Sequence, residues 1–303
     1  MQVIDARECA SRLPFGALVP ALAEAFTRPA TVPERHQHRL DESADATLLL
    51  MPAWSDAGFV GVKWVNIFPQ NTGPSVSAAY LLASAATGEH LAVIDGNELT
   101  RRRTAAVAAL AADKLARADA RTLVIVGAGH IGAIVAEAYA AVRDIETVLV
   151  FSRTTENAQR LVGRLAGFDA EVVTDLPAAL ERADIVSCAT LAERPVVRGA
   201  WLRPGTHVDL IGSFRPSMRE TDDEALARAQ VFVDTEIALE EAGELVTALA
   251  NGAISRGDIR GTLAQLCTGE VDGRRGEQDI TLFKTVGTGL ADLAAAALVY
   301  ARE

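Results

Sequence analysis

At 303 residues, half of them apolar, the chain is long enough to bury a large core and reads as two domains rather than one. Its formal charge of −11 argues against nucleic acid or an anionic membrane as the main partner, so an anionic ligand needs a local basic pocket. Three cysteines (Cys9, Cys188, Cys267) without C-x-x-C spacing read as reduced thiols. No apolar run approaches spanning length, and the first residues lack a signal-peptide pattern, so the expectation is a soluble cytoplasmic protein without membrane contact.

Val3 and Ile4 read as a short strand, and residues 14–26 as an amphipathic helix. Residues 31–56 hold charged strand-like pieces around an apolar core strand at 48–52. Strands are expected at 59–68 and 77–86, then a turn at Thr87-Gly88-Glu89, a strand at 91–94 and a turn at Asp95-Gly96-Asn97. This succession predicts a β-rich first domain. Alanines and leucines at helical spacing over 104–115 predict a connecting helix.

From 121 to 234 strand and helix alternate, as a parallel sheet requires, with strands expected at 122–126, 147–151, 170–173, 185–188, 207–211 and 231–233. The first of these runs into Gly127-Ala128-Gly129-His130-Ile131-Gly132, the G-x-G-x-x-G pattern. Its glycines permit a tight turn, close approach of a pyrophosphate and close packing of the next helix, whose N-terminal amides then face the phosphates. The second strand ends in Ser152-Arg153, where an NAD-selective domain would usually carry an acid for the ribose hydroxyls. An arginine there suits the extra phosphate of NADPH, with NADH possible at lower preference. Acidic helices, a glycine-rich loop at 269–276, a strand at 280–284 and an apolar helix at 290–300 complete the chain. That helix needs a partner surface, and its return to the first domain makes that domain discontinuous. The expected fold class is therefore α/β: a Rossmann-type parallel sheet domain over 116–282, plus a discontinuous β-rich α+β domain of 1–115 with 283–303.

Two basic positions, Lys63 and the run ending in Arg103, stand where propensity would not put them, whereas Arg35 is by itself unremarkable. Lys63 interrupts the apolar run 59–68 and shares a face with Val65 and Ile67. A desolvated ammonium is costly unless paired, so it needs an anion; the alternative is an edge strand whose lysine reaches solvent. Arg103 follows Arg101 and Arg102 at the expected start of the connecting helix, where the macrodipole disfavours cations. Arg35 lies beside His36 and His38, which lack the second ligand pair that a zinc site would need, so no metal is expected.

With these residues the chain resembles the ornithine cyclodeaminase/μ-crystallin family. The resemblance is carried by Arg35, Lys63-Trp64-Val65-Asn66, Ala86-Thr87-Gly88 and the run from Leu99 through Arg103 to Val107. It continues in the glycine turn, Ser152-Arg153-Thr154, Ile211-Gly212-Ser213 and Phe283-Lys284. It implies a homodimer, with a β-rich domain for substrate and dimerisation beside a Rossmann domain. It also implies that Arg35, Lys63 and Arg103 bind the substrate carboxylate and act as the catalytic set, which would give the odd cations their missing anion. Ser75 corresponds to a position facing the nicotinamide, and Ser152, Arg153, Thr154 and Asn157 to the adenosine-phosphate pocket. Thr190, Ile211 and Ser213 correspond to further cofactor positions, with Ser213 also near substrate. Family cyclodeaminases carry an aspartate at the position of Ser213, and a serine hydroxyl at its ordinary pKa cannot serve as that base. Arg219-Glu220 and Asp222-Asp223 resemble instead the ketimine-reductase branch. The implied function is hydride transfer to C2 of a cyclic imino acid, Δ1-pyrroline-2-carboxylate or Δ1-piperideine-2-carboxylate, giving L-proline or L-pipecolate. Either the imine binds already protonated, or Lys63 or a water supplies the proton. The alternatives are an ornithine cyclodeaminase, an alanine dehydrogenase-like enzyme, or a non-catalytic protein that binds NADPH and a carboxylate.

Overall fold

A computed structural model describes residues 1–41 and 43–302 and divides the chain into two compact units. The first is Met1–Thr104 together with the stretch from Thr288 on, and the second is Ala105–Gly287. Among the described residues no helix is long and apolar enough to cross a membrane.

The first unit opens with β1 (Gln2–Ile4), α1 (Ala6–Arg12) and α2 (Phe15–Phe26). α1 is not among the expected helices; it is started by Asp5, whose carboxylate accepts the Glu8 amide at 2.8 Å. In α2, Phe15, Leu18, Val19, Leu22 and Phe26 are buried at the spacing of one helical face. Then come β2 (Ala30–Thr31), β3 (His36–Asp41), β4 (Ala46–Ser55), β5 (Phe59–Ile67), β6 (Val76–Ser84) and β7 (His90–Asp95). They form one seven-stranded sheet in the order β1-β7-β6-β5-β4-β2, with β3 also pairing β4. All pairs are antiparallel except β1 with β7. β5 is therefore interior, and its alternation buries Gly61, Lys63 and Val65 on one face.

α3 (Gly96–Leu115) begins eight residues before the expected helix. What reads as a turn at Asp95-Gly96-Asn97 is its first turn, where the Asp95 carboxylate accepts the Glu98 amide at 2.8 Å. Glycine is required there: a Cβ at Gly96 would lie 2.6 Å from the Ala78 carbonyl carbon. The C-terminal helix, Gly289–Ala301, belongs to the first unit, with Thr288 as its cap.

In the second unit β8 (Thr122–Val126), α4 (Gly132–Ala140), β9 (Thr147–Phe151), α5 (Thr155–Val162) and β10 (Asp169–Val172) alternate. α6 (Leu176–Arg182), β11 (Ile185–Cys188), β12 (His207–Leu210), α7 (Asp223–Arg228) and β13 (Gln230–Val233) continue the pattern. α8 (Ala238–Glu241), α9 (Gly243–Ala250), β14 (Ile259–Thr262), α10 (Leu263–Thr268) and β15 (Thr281–Lys284) complete it. The eight strands are all parallel, in the order β10-β9-β8-β11-β12-β15-β13-β14. The order reverses between β8 and β11, the switch point at which doubly wound sheets bind ligands beyond their strands' carboxyl ends. This is the expected α/β class. β14 had no counterpart in the sequence reading. The expected divisions at 115/116 and 282/283 are corrected to 104/105 and 287/288, because β15 lies inside the parallel sheet and the later half of α3 belongs with it.

Candidate active site

Lys63 sits opposite Met51 on β4 and Tyr80 on β6 and is 3% exposed, so its ammonium has no strand edge from which to reach water. The anion it requires lies within the chain. Asp292, fully buried in the first turn of the C-terminal helix, places Oδ2 2.7 Å from Lys63 Nζ and accepts a hydrogen bond from Arg103 Nε at 2.8 Å through Oδ1. A carboxylate in that turn is also favoured by the helix dipole. This corrects the expectation that the substrate alone supplies the missing anion. The signal was a single acid within Leu290-Ala291-Asp292-Leu293-Ala294.

The three arginines also separate. Since α3 starts at Gly96, they stand in its second turn, and the expected conflict with the helix start does not arise. Glu98 binds Arg101 and Arg102, each at 3.0 Å. Arg102 also donates to the Leu13 carbonyl at 3.0 Å and lies over the Phe15 ring. Arg103 turns to Asp292.

Burial drives the Lys63 pKa down to about 8, against the pull of Asp292 and with the repulsion of Arg103 and Arg35. Arg35, half-buried in the segment before β3, is thus close enough to act on the same ammonium. Two cations on one carboxylate leave one positive charge in excess, which suits an anionic ligand. The buried Tyr80 hydroxyl lies against Gly61, where a Cβ would stand 2.4 Å from it; burial and Asp292 hold its pKa well above the usual value. Ser75 is exposed in the loop between β5 and β6, its carbonyl accepting the Phe68 amide at 2.7 Å. No hydrogen bond joins it to Lys63, Arg103 or Asp292 among the described residues.

In the second unit the glycine-rich turn has the form a pyrophosphate requires. Gly127 has φ +108°, and a Cβ there would lie 2.5 Å from the Ala189 carbonyl. A Cβ on Gly132 would lie 2.0 Å from the Gly127 carbonyl, so only glycine lets α4 pack on the turn. Gly129 faces open space, and the N-terminus of α4 carries no side-chain cap. His130 is exposed and Ile131 half-buried in the same turn. These residues fit a dinucleotide.

Beyond β9, Arg153 and Thr154 are exposed and Ser152 is half-buried, its hydroxyl accepting the Thr154 amide at 3.4 Å. Asn157 accepts a hydrogen bond from Arg160. A cleft of about 140 Å³ is lined by Ala128, Ala133, Asn157, Arg160, Leu161 and Arg164. Arg160 and Arg164 escaped the sequence reading, although with Asn157 they keep the spacing of one helical face.

Thr190 and Ile211 lie at the carboxyl ends of β11 and β12, and Thr190 is tied to Gly212, the neighbour of Ile211, by a residue to which sequence alone assigns no role. The buried Glu220 accepts the Thr190 amide at 2.7 Å, its hydroxyl at 2.8 Å and the Gly212 amide at 2.6 Å. The Ile211 amide donates to the Cys188 carbonyl at 2.8 Å. Ser213 requires a correction. Its fully buried hydroxyl donates to the Met218 carbonyl at 2.9 Å and accepts the Gly243 amide at 3.2 Å, so it is spent on the fold rather than held out to substrate or cofactor. Lys284 is likewise internal, donating to the Leu210 carbonyl at 3.1 Å beside Glu244 at 3.4 Å.

Fold and site together define an α/β protein with a dinucleotide-type parallel sheet in one unit and a buried, anion-seeking cation cluster in the other. The model of the ornithine cyclodeaminase/mu-crystallin family matches residues 2–303, and the chain belongs to that family. It is 42% identical over 260 residues to a Delta(1)-pyrroline-2-carboxylate reductase of Paracoccus denitrificans, covering 84% of this chain and 82% of the relative. The structure of the Thermococcus litoralis Delta(1)-pyrroline-2-carboxylate reductase with NADH and L-proline superposes with a TM-score of 0.94 at 31% identity, over 100% of this chain and 97% of that one. An archaeal alanine dehydrogenase dimer with bound NAD gives 0.92 at 30% identity, over 100% and 95%.

Proposed function

We propose that this protein reduces cyclic ketimine carboxylates, Δ1-pyrroline-2-carboxylate to L-proline and Δ1-piperideine-2-carboxylate to L-pipecolate, with NADPH preferred over NADH. The observation that carries the reading is the buried Lys63–Asp292–Arg103 array with its excess positive charge. Likeness to the Paracoccus and Thermococcus reductases supports the same substrate class. Ser213 argues against ring closure by deamination, since its bonded hydroxyl offers no base.

A bound dihydronicotinamide would supply a hydride to C2 of the imine. The chain's own residues do the rest. Arg103 and Arg35 hold the substrate carboxylate, which fixes the orientation of the C=N bond. The Lys63 ammonium hands a proton to the imine nitrogen as C2 gains the hydride, and the resulting neutral amine regains a proton from water. Each turnover thus consumes one imine, one reduced cofactor and one proton, and yields one amino acid and one oxidised cofactor. Gly127, Gly129 and Gly132 with the start of α4 would hold the pyrophosphate, and Thr190 and Ile211 would line the cofactor. Arg153, with Ser152, Thr154 and Asn157, would hold the phosphate that distinguishes NADPH. Trp54 and Trp64, exposed on one face of the first unit's sheet, support association as a homodimer.

Reduction with cofactor deuterated at the transferable C4 position tests the hydride step. Deuterium at C2 of L-proline is expected; L-proline formed without it would contradict the reading.

A further inference from the structure

We infer that Asp292 is the positioning residue of this site: its single carboxylate fixes the Lys63 ammonium and the Arg103 guanidinium in one rigid relation, so that one presents a proton and the other an open nitrogen fork. The inference rests on the proposed roles of those two cations and assigns the group that sets them.

The geometry divides the carboxylate cleanly, Oδ2 to Nζ at 2.7 Å and Oδ1 to Nε at 2.8 Å. Arg103 is therefore held by the edge of its guanidinium. Its two terminal nitrogens make no hydrogen bond among the described residues, which leaves a planar pair of donors matched to a carboxylate. Lys63 likewise spends one ammonium contact on Asp292 and keeps its other hydrogens.

Stability alone is a poor reason for this array. Burying three charged groups costs more than apolar residues of similar size would, and the helix carrying Asp292 is otherwise apolar on its buried face. The array does keep an ammonium charged where burial and two arginines oppose it. Among the described residues, the groups facing Lys63 are Asp292 on the C-terminal helix, Arg103 on α3, Arg35 before β3 and Tyr80 on β6. Asp292 is the only anion among them.

The test uses an unusual simplicity of composition: the chain has three lysines, Lys63, Lys114 and Lys284. Incorporation of lysine labelled with carbon-13 at Cε gives three resonances, whose shifts with pH report each ammonium, and Lys63→Arg assigns the signal. In folded Asp292→Asn, Lys63 should titrate about 1–3 pH units lower than in the unaltered protein. An unchanged Lys63 titration there overturns the inference. Asp292→Glu keeps the charge but moves the carboxylate by one methylene, and should weaken binding of L-proline by about tenfold or more. Unchanged L-proline binding in Asp292→Glu overturns the positioning role even where Asp292→Asn does not fold. The titration needs no substrate. A chain that reduces no imine yet shows the Lys63 displacement would therefore refute the proposed reaction and leave the role of Asp292 standing.

Discussion

Lys63 sets the pH dependence expected of this protein. In the proposed reaction its working form is the ammonium, and burial lowers its pKa from 10.5 to about 8. The donor is therefore loaded at neutral pH, and kcat/KM should fall as pH rises through about 8; an alkaline limb near 10.5 would show that Lys63 does not titrate in the rate. Lys63→Ala should lose about 100- to 10,000-fold in kcat while dinucleotide affinity is kept. Turnover retained in that variant would remove the lysine from the chemistry. Arg153 is exposed, so the grip on a phosphate proposed for it is screened by solvent, but on that proposal reversing its charge should still move preference from NADPH toward NADH. Equal preference before and after Arg153→Asp would exclude it as the phosphate ligand. Lys63 was legible in the sequence because it breaks a local rule, a cation within an apolar strand, whereas Arg103 was singled out only by the family resemblance, since α3 starts at Gly96 and the conflict with a helix start falls away. Asp292 was not legible, because an acid in a helix's first turn is ordinarily a solvated, dipole-friendly residue, and only the fold shows that this one is buried.

Strands were more legible than helix starts. β8, β9 and β11 match their expected bounds, since fully buried parallel strands read as short apolar runs between turns. α3 was read late because Asp95-Gly96-Asn97 carries turn residues that also serve as a helix cap. β14 was missed because Ile259-Arg260-Gly261-Thr262 is short and mostly polar. The resemblance singled out Glu220 without giving it a role, because that role lies in bonds to Thr190 and Gly212 across two strand ends, which spacing does not reveal. Glu220 ties the ends of β11 and β12 through Thr190 and Gly212, and a Cβ on Gly212 would lie 1.8 Å from the Thr190 carbonyl. Removing this carboxylate leaves half-buried donors unpaired. Glu220→Ala should therefore weaken dinucleotide binding by about tenfold or more, with the Lys63 titration unmoved. Unaltered dinucleotide affinity, measured by calorimetry, would show that the two strand ends do not need this tie.

The whole chain joins a strongly acidic surface to two places built for anions, the uncapped α4 with its glycine turn and the cation cluster around Asp292. The α/β class and the discontinuous organisation were visible in the order of hydrophobic patterns. The exact divisions were not, since a continuous helix and a strand returning to the sheet hide both boundaries. Which chemistry the two anion sites serve is decided by one comparison. Loss of the reduced cofactor's near-ultraviolet absorbance should be followed with Δ1-pyrroline-2-carboxylate using NADPH and NADH. Pyruvate plus ammonia, and ornithine plus NAD with ammonia release, should be followed in parallel. Rapid oxidation with the cyclic imine, faster with NADPH, is the predicted result. Silence with the imine while ornithine releases ammonia would contradict the account and require a base other than Ser213.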